Sequence, residues 1–501
     1  MVLLACSIAG LALFARILPG ARTIDDAYIT FRYAQNLLAG NGLVYNPGEP
    51  VLGTTTPLYA ALMAGLGGLT GGTHAPFPTL ALIVNALADA GTCLLLIALA
   101  TELGRPRAGW AAAAVWAIAP WSVTFAIGGM ETSLLVLLAT ACFLAHLRRR
   151  LILLSLLGAL AVLVRPDALL FLLPLVVEEV RLALRPPRSA GQVRPALLAA
   201  GVFAAPLLLW AAAASAFYGS PLPHSVAAKA VAYDLPRNAA LIRLLQHYAT
   251  PFVEHLTFGS AATIVGFFLY PILFTLGMLT AIRRNASTWA IFVYPLAYFA
   301  AYALANPLLF RWYLTPPLPI YMTGIFFGID RIAGDLRRPW VLGLGMGLAL
   351  ALTLGGWTLR PDHGPSRPAP LMAYIQLEEL YTRVAQGLRS HLVPGDRIAA
   401  GDIGALGYVT QARILDTVGL ISPEATRFYP LPEDRYVINY AIPAELILEQ
   451  RPDWVVLLEV YGRRTLLEDN AFLSAYRLEE TVPTEIYGSR GMLIFHRTAA
   501  P

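Results

Sequence analysis

Lysine occurs once in this chain, at position 229, cysteine three times, and only 13% of the residues carry a charge. Cys6, Cys93 and Cys142 all lie within apolar runs, which excludes a disulfide framework or a thiolate metal centre and leaves them as small hydrophobes. So little charge, beside 57% apolar residues and a mean hydropathy of +0.61, excludes an ordinary soluble globular protein and fits a polytopic membrane protein. The net charge of +5 does not point to nucleic acid, because the arginines sit in short clusters between apolar runs, where retention on the cytoplasmic side accounts for them. A cationic leader is also missing. The run "MVLLACSIAGLALFARILPG" lacks a basic n-region, and Asp25 and Asp26 follow where a cleavage site would fall, so it reads as a retained first helix. The histidines show no metal-site spacing: His224, His247 and His255 are spread along one loop, without an HExxH pattern.

Apolar runs predict helices near residues 2–19, 77–102, 108–126, 132–147, 151–164, 168–180, 195–217, 259–282, 287–305, 316–330 and 340–358, about eleven spans. The stretch "PLYAALMAGLGGLT", 57–70, is shorter than the roughly 20 residues a span needs. Reading it as a juxtamembrane or re-entrant helix on the outer face keeps the arginine clusters at 105–107, 148–150, 181–194, 283–284 and 330–338 on the cytoplasmic side. The polar motifs then gather on the outer face, in loops 20–76, 128–132, 165–167, 218–258 and 306–313. A Pro-rich stretch, "RPDHGPSRPAP", follows the last apolar run. The expected division is a transmembrane domain, 1–358, and an exported α/β domain, 359–501, with strand character in "DRIAAG", "RILDTV", "DWVVLLE" and "MLIFHR" and a helix in "AELILEQRP". Its "GDIGALG" turn, 401–407, departs from the dinucleotide fingerprint and reads as a tight strand-to-helix turn.

Several groups on the outer face have the chemistry for a reaction. Asp25 and Asp26 stand immediately after the first apolar run; adjacent helical residues point about 100° apart, so the pair suits one general base and one helper. The competing reading is a charge pair that caps the loop or binds Arg22 or Arg32. In "GSPLPHSVAAKA", a helix start at Ser225 with His224 and Lys229 beside it makes an anion site, and a solvated loop helix is the alternative. Arg311 in "FRWYLTPP" is suited to a phosphate, with aromatics to stack on a sugar or prenyl chain; anchoring in an aromatic belt produces the same composition. Arg165 and Asp167 lie between two short helices, where a structural salt bridge is the most economical role. Glu131, after two glycines, is placed for a sugar hydroxyl or a metal, with helix capping as the rival.

Taken together, "DDAYITFRYAQNLLAGNGLVYNPGE", "GGMET", "RPDALL", "GSPLPHSVAAK", "RWYLTPPLP" and "GDIGALGYVTQARILDTVGL" resemble the GT-C superfamily, polytopic glycosyltransferases that use polyprenyl-phosphate-linked sugars. Within it the chain looks most like the mycobacterial terminal β-(1→2) arabinofuranosyltransferases and their bacterial relatives. The resemblance implies a GT-C-like helical membrane domain with a C-terminal exported α/β domain, in the plasma membrane of a bacterium with its active site outside. It implies inverting transfer of a sugar, arabinofuranose among the candidates, from a polyprenyl-phosphate donor to a glycan or lipid acceptor. Asp25 and Asp26 carry over as the catalytic acids, Lys229, Arg311, His224 and Arg165 as phosphate ligands, and Glu131, Tyr28, Arg32 and Tyr313 as substrate contacts. The resemblance fixes no cofactor and leaves a divalent Mg or Mn ion open, which would fall to Asp25, Asp26 and Glu131. A transporter or lipid-linked-sugar flippase is the chief competing class, and a membrane-tethered binding protein is a third.

Overall fold

The computed structural model describes residues 1–184, 190–253, 259–356 and 373–498. The Pro-rich stretch 360–370, His255 and part of the 181–194 arginine cluster lie outside the described residues. The chain divides into two compact units. One comprises Met1–Arg22, Pro78–Leu209 and Asn238–Pro370; the other comprises Thr23–Phe77, Trp210–Arg237 and Leu371–Pro501. The second unit therefore holds more than the expected 359–501 domain: the first outer loop and the segment around Lys229 pack into it.

The first unit is helical. Helices Phe77–Glu102, Thr132–Leu147 and Leu151–Val164 begin and end where the apolar runs do. Four helices are long and apolar enough to cross a membrane, namely Phe77–Glu102, Arg194–Tyr218, Gly259–Arg284 and Ala286–Ala305. A bent pair, Pro106–Ile118 with Pro120–Ile127, makes up to five. The expected eleven is thus not reached on length and composition among the described residues. Several runs form helices short of a full span, including Val2–Ile17, Thr132–Leu147, Leu151–Val164 and Trp340–Gly355. Pro120 breaks the 108–126 run, because its ring cannot continue the hydrogen-bond ladder.

A buried ion pair ties five of these helices together. Arg16, on Val2–Ile17, and Asp89, on Phe77–Glu102, meet at 2.7 Å with both side chains fully buried. Arg16 also donates to Ala12 O and Ala117 O at 2.8 Å and to Ser122 Oγ at 2.6 Å. Asp89 accepts from Ser133 Oγ at 2.8 Å and from Trp116 Nε1 at 3.2 Å. A charge pair in a low-dielectric interior is tolerated when its remaining donors and acceptors are met, as they are here.

The second unit is built on a five-stranded mixed sheet, with β1 (Arg397–Ala400), β2 (Arg413–Asp416), β3 (Trp454–Leu458), β4 (Tyr476–Val482) and β5 (Met492–Arg497) in the order β2-β1-β3-β5-β4. β1 pairs in parallel with both β2 and β3, whereas β3–β5 and β4–β5 are antiparallel. The four strands expected from sequence are present. β4 is the addition: it is a sheet edge with five consecutive exposed residues, so no apolar alternation marks it. The helix over "AELILEQRP" is Ala444–Gln450, ended by left-handed Arg451 ahead of Pro452.

Leaving one member of the Arg16–Asp89 pair unmatched is expected to cost about 3–5 kcal/mol. Asp89→Ala should therefore melt well below wild type in detergent, and Arg16→Met with Asp89→Leu should recover much of the loss. A single variant as stable as wild type contradicts this role.

Candidate active site

The acidic pair opens a helix, Asp25–Leu38, in the second unit. Its two members have different surroundings. Asp25 is buried and both its oxygens are taken: Oδ2 accepts from Gly404 N at 2.9 Å and Oδ1 from Ala405 N at 2.7 Å. These are the first amides of helix Gly404–Thr410, so Asp25 supplies the negative charge that a helix start favours.

Arg32 completes the arrangement seven residues on, two turns along the same face of Asp25–Leu38. Its Nη1 donates to Gly407 O at 2.6 Å, and Nη2 to Ala412 O at 3.1 Å and Gln411 O at 3.3 Å. Those are carbonyls at the end of Gly404–Thr410, where cations are favourable. Seven residues of helix rise about 10 Å, so the Asp25-to-Arg32 spacing matches the short helix it clamps. Only glycine permits so close a contact: a Cβ on Gly404 would meet Asp25 O at 1.7 Å, and one on Gly407 would meet Tyr45 Oη at 1.9 Å. The "NPGE" segment adds to the junction. Asn46 Oδ1 accepts from Ile414 N at 3.0 Å while its Nδ2 donates to Ile414 O at 2.8 Å, and Glu49 pairs with Arg413. Tyr28 is packed with Phe31 and Tyr408, at ring-centroid distances of 5.7 and 4.9 Å. The expected substrate contacts Arg32 and Tyr28 are thus occupied in holding this unit together.

Asp26 differs. It keeps part of its surface accessible, burial raises its proton affinity, and Lys229 opposes that rise. Lys229 lies on helix His224–Ala232 of the same unit. On the same helix His224 has a buried Nε2 without a hydrogen-bond partner among the described residues, and burial lowers its proton affinity. Near the acidic pair the structure adds a residue not singled out from sequence, Asp402. Burial first, then the charge of Asp26, pushes its carboxyl up to about 7, against the hydroxyls of Tyr461 and Tyr381. Burial also holds Asp25 well above the ordinary carboxylate range, and Asp402 and Asp26 add to the rise while the two amides oppose it. The signal available in sequence was the Asp inside "GDIGALG", two residues ahead of the glycine that touches Asp25.

The remaining site candidates lie in the first unit. Arg165 donates to Glu131 Oε1 at 2.7 Å and bidentately to Asp167 at 2.9 Å, with its guanidinium over the Tyr313 ring at 4.6 Å. Three of its donors go to two carboxylates, and Glu131 is paired with it. Tyr302 and Tyr298 direct hydroxyls at Asp167, at 3.1 and 3.4 Å. Arg311 lies over the Trp121 ring at 5.4 Å, and Trp121 meets His247 edge-on at 4.5 Å. His247 Nε2 donates to Leu314 O at 2.7 Å; burial, with Arg243 and Arg311 nearby, pushes it down to about 3, so it is neutral and any cation here is arginine. Among the described residues no group of three or more His, Cys, Asp or Glu side chains is arranged to hold a metal ion. Of the residues considered for Mg or Mn, Asp25 rests on two amides and Glu131 on Arg165.

The chain shares its fold with several solved structures. ArnT from Cupriavidus metallidurans, solved with undecaprenyl phosphate, superposes with a TM-score of 0.58 at 13% identity over 100% of this chain and 98% of its own. The Archaeoglobus fulgidus oligosaccharyltransferase gives 0.58 at 13% identity, covering 98% of this chain and 72% of that one. The mycobacterial arabinofuranosyltransferase AftD gives 0.50 at 15% identity over 100% of this chain and 41% of its own. Residues 372–495 match a family described as a domain of unknown function, DUF8728. No curated protein matches the chain.

Asp25 and Asp26 are expected to separate on substitution. Asp25→Asn, whose side chain has one acceptor oxygen for two amides, and Gly404→Ala, which drives a Cβ into Asp25 O, should both lower the melting temperature, whereas Asp26→Asn should melt within a few degrees of wild type. Equal melting temperatures for all three variants would falsify the division.

Proposed function

We propose that the chain is a membrane glycosyltransferase that moves a sugar from a polyprenyl-phosphate donor to a glycan or lipid acceptor, with Asp26 as general base. The observation that carries this reading is Asp26 itself: of the adjacent acids, it is the one left partly accessible, with raised proton affinity and Lys229 beside it. The GT-C fold supports the reading, since ArnT has been solved with undecaprenyl phosphate and the Archaeoglobus fulgidus oligosaccharyltransferase AglB with a dolichol-phosphate.

The chemistry follows from the groups present. The acceptor hydroxyl gives its proton to the Asp26 carboxylate as its oxygen bonds to the anomeric carbon. The anomeric carbon–phosphate oxygen bond breaks on the opposite face, and its electron pair leaves with the lipid phosphate. Lys229 offsets the phosphate charge, and configuration inverts. A carboxylate with raised proton affinity is the better base at neutral pH. His224 stands at the start of the helix that carries Lys229 and is assigned to the same phosphate. In the first unit Arg311 lies over the Trp121 ring and Tyr313 packs against Arg165. The reading places the protein in a bacterial plasma membrane with the second unit outside, and arabinofuranose is the sugar favoured by the motif resemblance.

Asp26→Asn, folded in detergent, is expected to lose transfer about 100-fold or more, the loss typical of a missing general base. A panel of polyprenyl-phosphate arabinose, mannose, glucose and aminoarabinose, assayed for consumption, identifies the donor. Wild-type turnover by the variant removes the base assignment, and no consumption of any donor by wild type removes the reading. Lys229→Ala is expected to weaken donor binding in a direct measurement; unchanged affinity moves the phosphate role elsewhere.

A further inference from the structure

The parallel part of the sheet has a feature that the reaction above does not use. β1 lies between β2 and β3, parallel to both, with Ile398 opposite Trp454 and Ala399 opposite Val455. The connection from β1 leads to one side of the sheet and the strand after β3 lies on the other. In open α/β sheets such a reversal leaves a crevice beyond the carboxyl ends of the two central strands, where ligands bind. Asp402 follows the carboxyl end of β1, and Tyr461 follows the carboxyl end of β3. Asp402 Oδ2 and the Tyr381 hydroxyl are buried at this end of the sheet, where the Tyr381 and Tyr461 hydroxyls lie toward the Asp402 carboxyl. Tyr440 stacks edge-on against Tyr461 at 5.0 Å and lies 5.8 Å from Tyr233, so aromatic rings flank the carboxyl. The same junction brings the acidic pair in: Asp25 is bonded to Gly404 and Ala405, two and three residues beyond Asp402, and Asp26 is its chain neighbour.

We propose that this crevice is the acceptor-sugar subsite and that Asp402 is a second catalytic carboxylate, which shares with Asp26 the proton taken from the acceptor hydroxyl. This rests on the glycosyltransferase reading. The acceptor O–H bond breaks, the oxygen–anomeric carbon bond forms, the anomeric carbon–phosphate oxygen bond breaks with its electrons leaving on phosphate, and the proton rests on the carboxylate pair before passing to water. The partly accessible Tyr233 and the exposed Tyr487, both close to Asp402, suit a polyol: ring faces pack on sugar C–H groups while the carboxyl binds hydroxyls. A function is thereby given to the part of the chain that matches a domain of unknown function.

The charged and titratable groups around Asp402 are Asp25, Asp26 and Asp416 with Tyr233, Tyr381, Tyr461 and Tyr487, and Lys229 acts on it through Asp26. Removing its charge takes one like charge away from the pair it forms with Asp26, so the remaining carboxylate ionises at lower pH. Asp402→Asn is expected to lower kcat/KM about 100-fold and to move the acid limb of its pH profile to lower pH, while Asp402→Glu retains part of the activity and the wild-type limb. A thermal readout runs alongside. The folded carboxyl titrates near 7 and an unfolded one near about 4, so the folded state binds more protons between these values and stability falls as pH rises through that window. Asp402→Asn, which cannot ionise, should melt with wild type near pH 4 and above it at pH 8. Transfer by wild type together with unchanged kcat/KM and limb in Asp402→Asn overturns this proposal alone. Equal loss in Asn and Glu variants with an unmoved limb means a structural role and overturns it also. Absence of transfer by wild type from every polyprenyl-phosphate sugar instead removes the underlying reading, and the proposal with it.

Discussion

The hydrogen bonds from Gly404 and Ala405 to the Asp25 carboxylate fix the rest of the second unit. A buried carboxylate must have its oxygens met or it draws a proton and loosens, and here both are met by the first amides of one short helix. That requirement determines where residues 401–407 lie, and with them Asp402. It also determines where the first turn of Asp25–Leu38 lies, and with it Asp26. Arg32 at the other end of the same short helix removes the remaining freedom to slide, because its bonds reach the carbonyls that Asp25 cannot. The cost is electrostatic: three carboxyls are brought into one low-dielectric region, and each raises the proton affinity of a neighbour. A structure selected for stability alone would have little reason to accept that repulsion. One that must take up a proton near neutral pH has such a reason.

Much of this was legible in the sequence, and what was missed has a common cause. Apolar run length located the helices of the first unit closely, since Phe77–Glu102, Thr132–Leu147 and Leu151–Val164 are bounded by charge, glycine or proline. Four of these runs, or five with the bent pair, give helices long and apolar enough to cross a membrane among the described residues, and hydropathy does not register where a helix is cut short. The acidic pair was legible as a pair, and Lys229 stood out as the lone lysine. Nothing local could separate Asp25 from Asp26. What separates them is a partner 379 residues away in sequence. Asp402 was hidden for the same reason: inside "GDIGALG" the glycines explain the turn fully, and the aspartate acquires meaning only when the turn meets the helix that begins at Asp25. Arg32 and Tyr28, which the resemblance implies as substrate contacts, pack into the junction, and no local signal reveals that.

Hydrogen-bond saturation sorts the charged residues of both units by one rule. Arg16 spends its donors on Asp89, Ser122 and two carbonyls, and Arg165 spends its own on Glu131 and Asp167. Such cations spend most of their donors inside the protein, and they make buried charge tolerable where helices cross. The bidentate grip of Arg165 on Asp167, two residues along the chain, also sets the short turn between Leu151–Val164 and Leu169–Ala183. Charge in an apolar chain is therefore a poor guide to chemistry until its partners are counted.

The spacing of the acids follows from this rule. Two adjacent residues at a helix start point about 100° apart, so when the first turns into the protein the second cannot follow it. Asp25 is aimed at the amides of Gly404–Thr410, and that orientation leaves Asp26 at the accessible side of the same turn. A single aspartate could serve as base or as anchor; with an amide on each oxygen its basicity is lowered, and without them it would lack a fixed position. Two consecutive aspartates divide the tasks, with the anchor holding the base in place to within the tolerance of a hydrogen bond. The glycine at 404 is the other half of that division, because any side chain there would push the anchor away and carry the base with it.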